Sequence, residues 1–139
     1  MPRQLTRRHV PRSALARLPR HTGGRRFAPP EGAAMQAKHA IKAAALRDCM
    51  RRCVYCAVCL EHATATLDHV YPRAHGGNDA PGNLVVSCAR CNRLKGDLLP
   101  HEFFLRHPWA GANFMRYARA AHRVHKRNAR RAVSLAHAA

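Results

Sequence analysis

Apolar residues in this chain fall in short clusters, and the period of each cluster predicts a different element. From Ala33 to Arg52 the sequence is rich in Ala, Met, Gln, Lys and Leu and has neither Pro nor Gly, which favours a helix. Ile41, Ala45, Leu46 and Cys49 recur at helical spacing and form its expected apolar face. Cys49 reads there as a small buried apolar residue, and Lys38, Lys42, Arg47, Arg51 and Arg52 are left towards solvent or phosphate. The period then shortens. Thr64-Ala65-Thr66-Leu67 alternates small polar and apolar residues, runs into Asp68-His69-Val70 and predicts a strand; Leu84-Val85-Val86 predicts a second. Pro72, Gly76-Gly77, Pro81 and Gly82 punctuate the loop between them. Asn92-Arg93-Leu94-Lys95 predicts the first turn of a helix, and residues 100–106 predict a short helix ending before Pro108. From Ala112 onwards one long helix is expected. Phe114, Tyr117, Ala118, Ala121 and Val124 take one side of it, and Arg116, Arg119, Arg123, Lys126, Arg127 and Arg130 the other. Phe103, Phe104 and Trp109 are expected to cover the core.

Cysteine spacing adds chemistry to this outline. Cys53/Cys56 and Cys88/Cys91 form two CxxC pairs on either side of the strand-loop-strand unit. That is the usual layout of a four-thiolate zinc site, since each pair closes a knuckle aiming two sulfurs at one metal. Cys56 and Cys59 also make a CxxC, so the first pair has two possible registers. A chain with so little core gains much from a structural Zn²⁺, which can supply roughly 10 kcal/mol or more of apparent binding free energy. The predicted fold is a small α+β unit, a hairpin followed by a helix, with Asp68, His69 and Asn92 on one small surface.

The pattern C-x-x-C … D-H-x-x-P-x-x-x-G-G … N-L … C-x-x-C-N-x-x-K-G resembles the HNH endonuclease family, in its zinc-containing branch with a ββα-metal (His-Me finger) core. The resemblance covers residues 47–105, and Ala57 stands where the family's first knuckle usually has Gly. It implies that His69 activates water, a task suited to imidazole near neutral pH. It implies that Asp68 and Asn92 hold one catalytic divalent cation, and that Asn83 fixes the loop and orients His69 by a hydrogen bond. Many members have His where this chain has Asn92; two oxygen donors favour Mg²⁺ or Mn²⁺. Read without the resemblance, Asn92 suits a helix N-cap and Asn83 suits a turn after Pro81-Gly82. The family's chemistry implies hydrolysis of DNA phosphodiesters to 5′-phosphate and 3′-hydroxyl ends.

Charge narrows the partner. In 139 residues there are 25 Lys and Arg against 7 Asp and Glu, a formal net charge of +18. Such a balance calls for a polyanion, first of all nucleic acid, and the resemblance implies DNA. Three regions are expected: a basic, disordered arm over 1–32, a nuclease domain with its lead-in helix over 33–110, and a basic C-terminal helix over 111–139. The arm carries eight arginines and no acid before Glu31, which suits contact with phosphates; its prolines argue against an amphipathic transit helix. Arg73, Arg93 and Lys95 join Arg116, Arg119, Arg123, Lys126, Arg127 and Arg130 as expected phosphate contacts. No apolar run reaches the ~20 residues of a membrane span, and no signal peptide is seen. A reducing, cytoplasmic setting with metal-bound cysteines is expected. The competing reading is a zinc-stabilised binding module without turnover. A homodimer, or the nuclease subunit of a larger assembly, also stays open.

Overall fold

The two short apolar runs pair with each other. In the computed structural model, which describes residues 31–139, Ala65–His69 (β1) lies antiparallel to Leu84–Cys88 (β2), with Leu67 opposite Val86 and His69 opposite Leu84. Leu84, Val85, Val86 and Ser87 are all buried although they alternate between faces, so β2 is covered on both sides. The helix Glu31–Asp48 (α1) packs on both strands, and the helix Ala89–Lys95 (α2) follows β2 directly. Pro100–Arg106 (α3), Pro108–Tyr117 (α4) and Arg123–Ala138 (α5) pack together behind this unit. The core joining the two halves is aromatic: Tyr55 meets Phe103 edge-on at 5.1 Å between centroids and stacks on Phe114 at 6.2 Å. The architecture is the expected small α+β fold.

Several elements depart from the sequence pattern. Helix α1 begins at Glu31 and stops at Asp48, because Met50 and Arg51 take left-handed backbone conformations that turn the chain into the first knuckle. Ala45, Leu46 and Cys49 are buried as expected, but Ile41 is 44% exposed. Helix α2 starts at Ala89, capped by the Cys88 sulfur accepting the Cys91 N–H, so Asn92 lies inside the helix and is not its N-cap. Trp109 is 45% exposed and covers little core.

The long C-terminal helix is broken. It divides into α4 and α5 at residues 118–122, a stretch with neither Gly nor Pro. Tertiary bonds override the helical propensity there: the His122 N–H donates to the Gly82 carbonyl at 2.8 Å, and His122 Nδ1 caps α5 by accepting the Val124 N–H. Hence Arg116 sits on α4, Arg119 in the turn, and Val124 points outward on α5. Gly111 sets the α4–α5 approach, since a Cβ there would lie 2.8 Å from Val133 Cγ2. The basic arm expected over 1–32 lies outside the described residues, apart from Glu31 and Gly32, which open α1. Among the described residues no helix is long and apolar enough to cross a membrane.

Candidate metal centres and active site

Both knuckles form in the Cys53/Cys56 and Cys88/Cys91 register. The ligand sulfurs of the four residues all lie within 4.8 Å of one another, with Cys56 and Cys88 Sγ 3.8 Å apart. A zinc with Zn–S of about 2.3 Å and tetrahedral angles separates its sulfurs by about 3.8 Å, so the donor set fits. Among the described residues this is the one group of three or more His, Cys, Asp or Glu placed for a metal. Cys59 stands outside it and is exposed. The first knuckle closes by the Ala57 N–H donating to the Cys53 carbonyl, with Ala57 at φ 66°, the left-handed position where glycine is cheapest. Burial pushes the Cys53 thiol up to about 11 and Cys91 higher still. Cys88 goes the other way: its burial is outweighed by hydrogen bonds from Cys91, Cys56 and Cys53, which hold its thiol below the ordinary range.

Asp68 and His69 end β1 but face different surroundings. Asp68 is 5% exposed, and both carboxylate oxygens are engaged: Tyr55 Oη donates to Oδ2 at 2.5 Å and Lys95 Nζ to Oδ1 at 3.2 Å. Burial pushes the Asp68 carboxyl up, while the Lys95 ammonium and the Tyr55 hydroxyl pull it down. Burial, with Asp68 beside it, also keeps the Tyr55 hydroxyl protonated well beyond its ordinary range. Each carboxylate oxygen has a second lone pair, and the Asn92 side chain makes no hydrogen bond among the described residues. Both Asp68 and Asn92 carry oxygen donors of the hard kind that a divalent cation takes.

Lys95 corrects an expectation. It is 1% exposed and donates also to the His69 carbonyl at 2.7 Å, so it is an internal tie and not a phosphate contact. It crosses from α2 to β1 and fastens both ends of the Asp68-His69 dipeptide.

His69 is half-buried, and its Nε2 meets Asp79 Oδ1 at 2.7 Å and Arg73 Nε at 3.2 Å. Arg73 grips Asp79 through Nη2, at 2.7 Å to each carboxylate oxygen. Hydrogen bonds from Arg73 and His69 hold the Asp79 carboxyl below the usual carboxylate range. Asn83 is buried and does fix the loop. Its Oδ1 accepts the Tyr71 N–H at 2.8 Å, and its Nδ2 donates to the carbonyls of Tyr71 and Asn78. It makes no bond to His69, contrary to the direct contact expected. Arg73 is likewise committed to Asp79, whereas Arg93, Arg116, Arg119, Arg123, Arg127 and Arg130 are exposed. Lys126 donates to the Arg119 carbonyl at 2.9 Å.

Sequence reasoning overlooked two site residues. Tyr55 lies between the first two zinc cysteines and was visible only as part of that knuckle. Asp79 had a signal, being one of only 7 acids in a chain of net charge +18.

A two-stranded hairpin running into a helix, with four cysteines gathered beside it and Asp-His at the end of β1, defines a small α+β metal-knuckle fold. Residues 53–107 match the model of the HNH endonuclease family. Two curated relatives are the CRISPR-associated endonucleases Cas9 of Actinomyces naeslundii, 46% identical over 46 residues, and of Corynebacterium diphtheriae, 38% identical over 47. These stretches are 32% and 33% of this chain but 4% of each relative, so the chain spans a small fraction of their length. A crystal structure of the Type II-C Cas9 enzyme from Actinomyces naeslundii aligns with TM-score 0.49 and 24% identity, over 72% of this chain and 11% of that one.

Proposed function

We propose that this protein is a metal-dependent endonuclease that hydrolyses DNA phosphodiester bonds at the Asp68-His69-Asn92 surface. One observation carries the reading: Asp68 and His69 close β1, while its partner strand runs straight into the helix bearing Asn92, all within the segment that matches the HNH endonuclease family. His69 takes a proton from the attacking water through an imidazole nitrogen. Asp68 and Asn92 would hold Mg²⁺ or Mn²⁺, which supplies charge stabilisation to the phosphate and the leaving 3′ oxygen. Asn83 holds the loop 71–78 so that His69 keeps its place, and Cys53, Cys56, Cys88 and Cys91 would bind a structural Zn²⁺. The exposed arginines of α4 and α5 receive phosphates along the strand.

The reading is tested with supercoiled plasmid incubated with Mg²⁺, Mn²⁺ or EDTA, followed by end analysis. Metal-dependent nicking that leaves 5′-phosphate and 3′-hydroxyl ends is expected; no cleavage with either metal would overturn it. A second reading, a zinc-stabilised nucleic-acid-binding module without turnover, is favoured by the Asp68 carboxylate being engaged on both oxygens by Tyr55 and Lys95.

A further inference from the structure

Two groups, Arg73 and Asp79, meet at one nitrogen of His69, and their chemistry favours one arrangement of protons. An arginine guanidinium only donates, an ionised carboxylate only accepts, and a neutral imidazole nitrogen does one or the other. If Nε2 were bare, its lone pair would face the Asp79 Oδ1 at 2.7 Å, a repulsive approach. If Nε2 carries the proton, it donates to Asp79. Arg73 Nε, at 3.2 Å from Nε2, then uses its equally distant acceptor on Asp79 Oδ1. The shorter distance decides, and the proton sits on Nε2.

We propose that Asp79 is a positioning residue for His69, holding its Nε2–H so that Nδ1 is the nitrogen that receives the proton of water. This rests on the endonuclease reading above. An exposed carboxylate–imidazole pair would by itself be loosely held, and the Asp79 side chain is 61% exposed. Two features restrain it. Arg73 clamps both of its oxygens, and the backbone at Asn78, next in sequence, is tied down by the buried Asn83. Asn78 Oδ1 also accepts the Ala80 N–H at 3.1 Å, bracketing Asp79 between two fixed residues. Asn83 thus reaches His69 through the loop and Asp79, without touching the ring. The arrangement follows the logic of a carboxylate that fixes the tautomer of a basic histidine.

The test pairs ¹⁵N NMR of the His69 ring, at a pH where it is neutral, with plasmid-nicking kinetics of wild type and Asp79→Ala. Wild type is expected to show a single tautomer, protonated at Nε2. Asp79→Ala should relax to a mixture of both, with kcat lowered about tenfold or more and KM within about twofold. A thermal melt matching wild type separates this from misfolding. A wild-type ring already mixed between tautomers overturns the proposal. So does an Asp79→Ala variant that keeps either the single tautomer or the wild-type kcat. If wild type cuts nothing, the endonuclease reading falls and the NMR result alone decides the role of Asp79.

Discussion

Asp68 is held from two directions by side chains that arrive from distant parts of the chain, Tyr55 from the first knuckle and Lys95 from α2. Removing one partner of a buried ion pair leaves the other uncompensated. Lys95→Met should therefore destabilise the fold by about 3 kcal/mol in urea melts, while leaving the salt dependence of DNA binding as in wild type. A reduced salt slope would return Lys95 to the phosphate contacts. His125 offers a second test. It is buried at the start of α5 with Nδ1 lacking a partner among the described residues, and burial, with His122 and Lys95 near, holds its pKa below the ordinary imidazole range. The unfolded chain then takes its proton first, so the stability this group contributes is present above pH ~6.5. It is lost as pH falls from there through the lowered folded value. Thermal melts between pH 7 and 5 should lose stability more steeply for wild type than for His125→Phe; parallel curves would contradict this. The pairing of Asp68 with Lys95 was not legible because sequence spacing does not reveal which basic residue points inward.

At the scale of elements, strands and knuckles were legible and helix ends were not. Alternation placed β1 and a β-branched run placed β2, because a two-residue period marks a strand facing a core. The CxxC spacing placed the thiols because each pair is a local turn. The break between α4 and α5 depends on the His122–Gly82 bond, which joins segments about forty residues apart in sequence, and no local pattern records it. Ala57 marks a strained point, with φ 66° in the first knuckle. Ala57→Gly should relieve left-handed strain and stabilise the protein by about 1 kcal/mol, raising the thermal midpoint. A lowered midpoint would contradict the assignment of strain.

Across the whole molecule the formal net charge is +18, and among the described residues part of it is displayed along α5. Arg123, Lys126, Arg127 and Arg130 with His122 line an open groove along α5. Removing one basic side chain that neutralises a phosphate should lower the slope of log K against log salt by about 0.9 on duplex DNA. Arg127→Ala with Arg130→Ala should therefore flatten the slope by roughly 2 units; an unchanged slope would remove this face from the interface. The composition pointed to such a surface, but not that the basic row is divided between two helices. The most direct measurement compares wild type with His69→Ala on one supercoiled plasmid, reading binding by gel shift and cleavage with Mg²⁺ or Mn²⁺. The account predicts equal binding within about twofold, since His69 is not a phosphate anchor, with cleavage confined to wild type and abolished by EDTA. Binding without cleavage by wild type, or cleavage undiminished in His69→Ala, would contradict it.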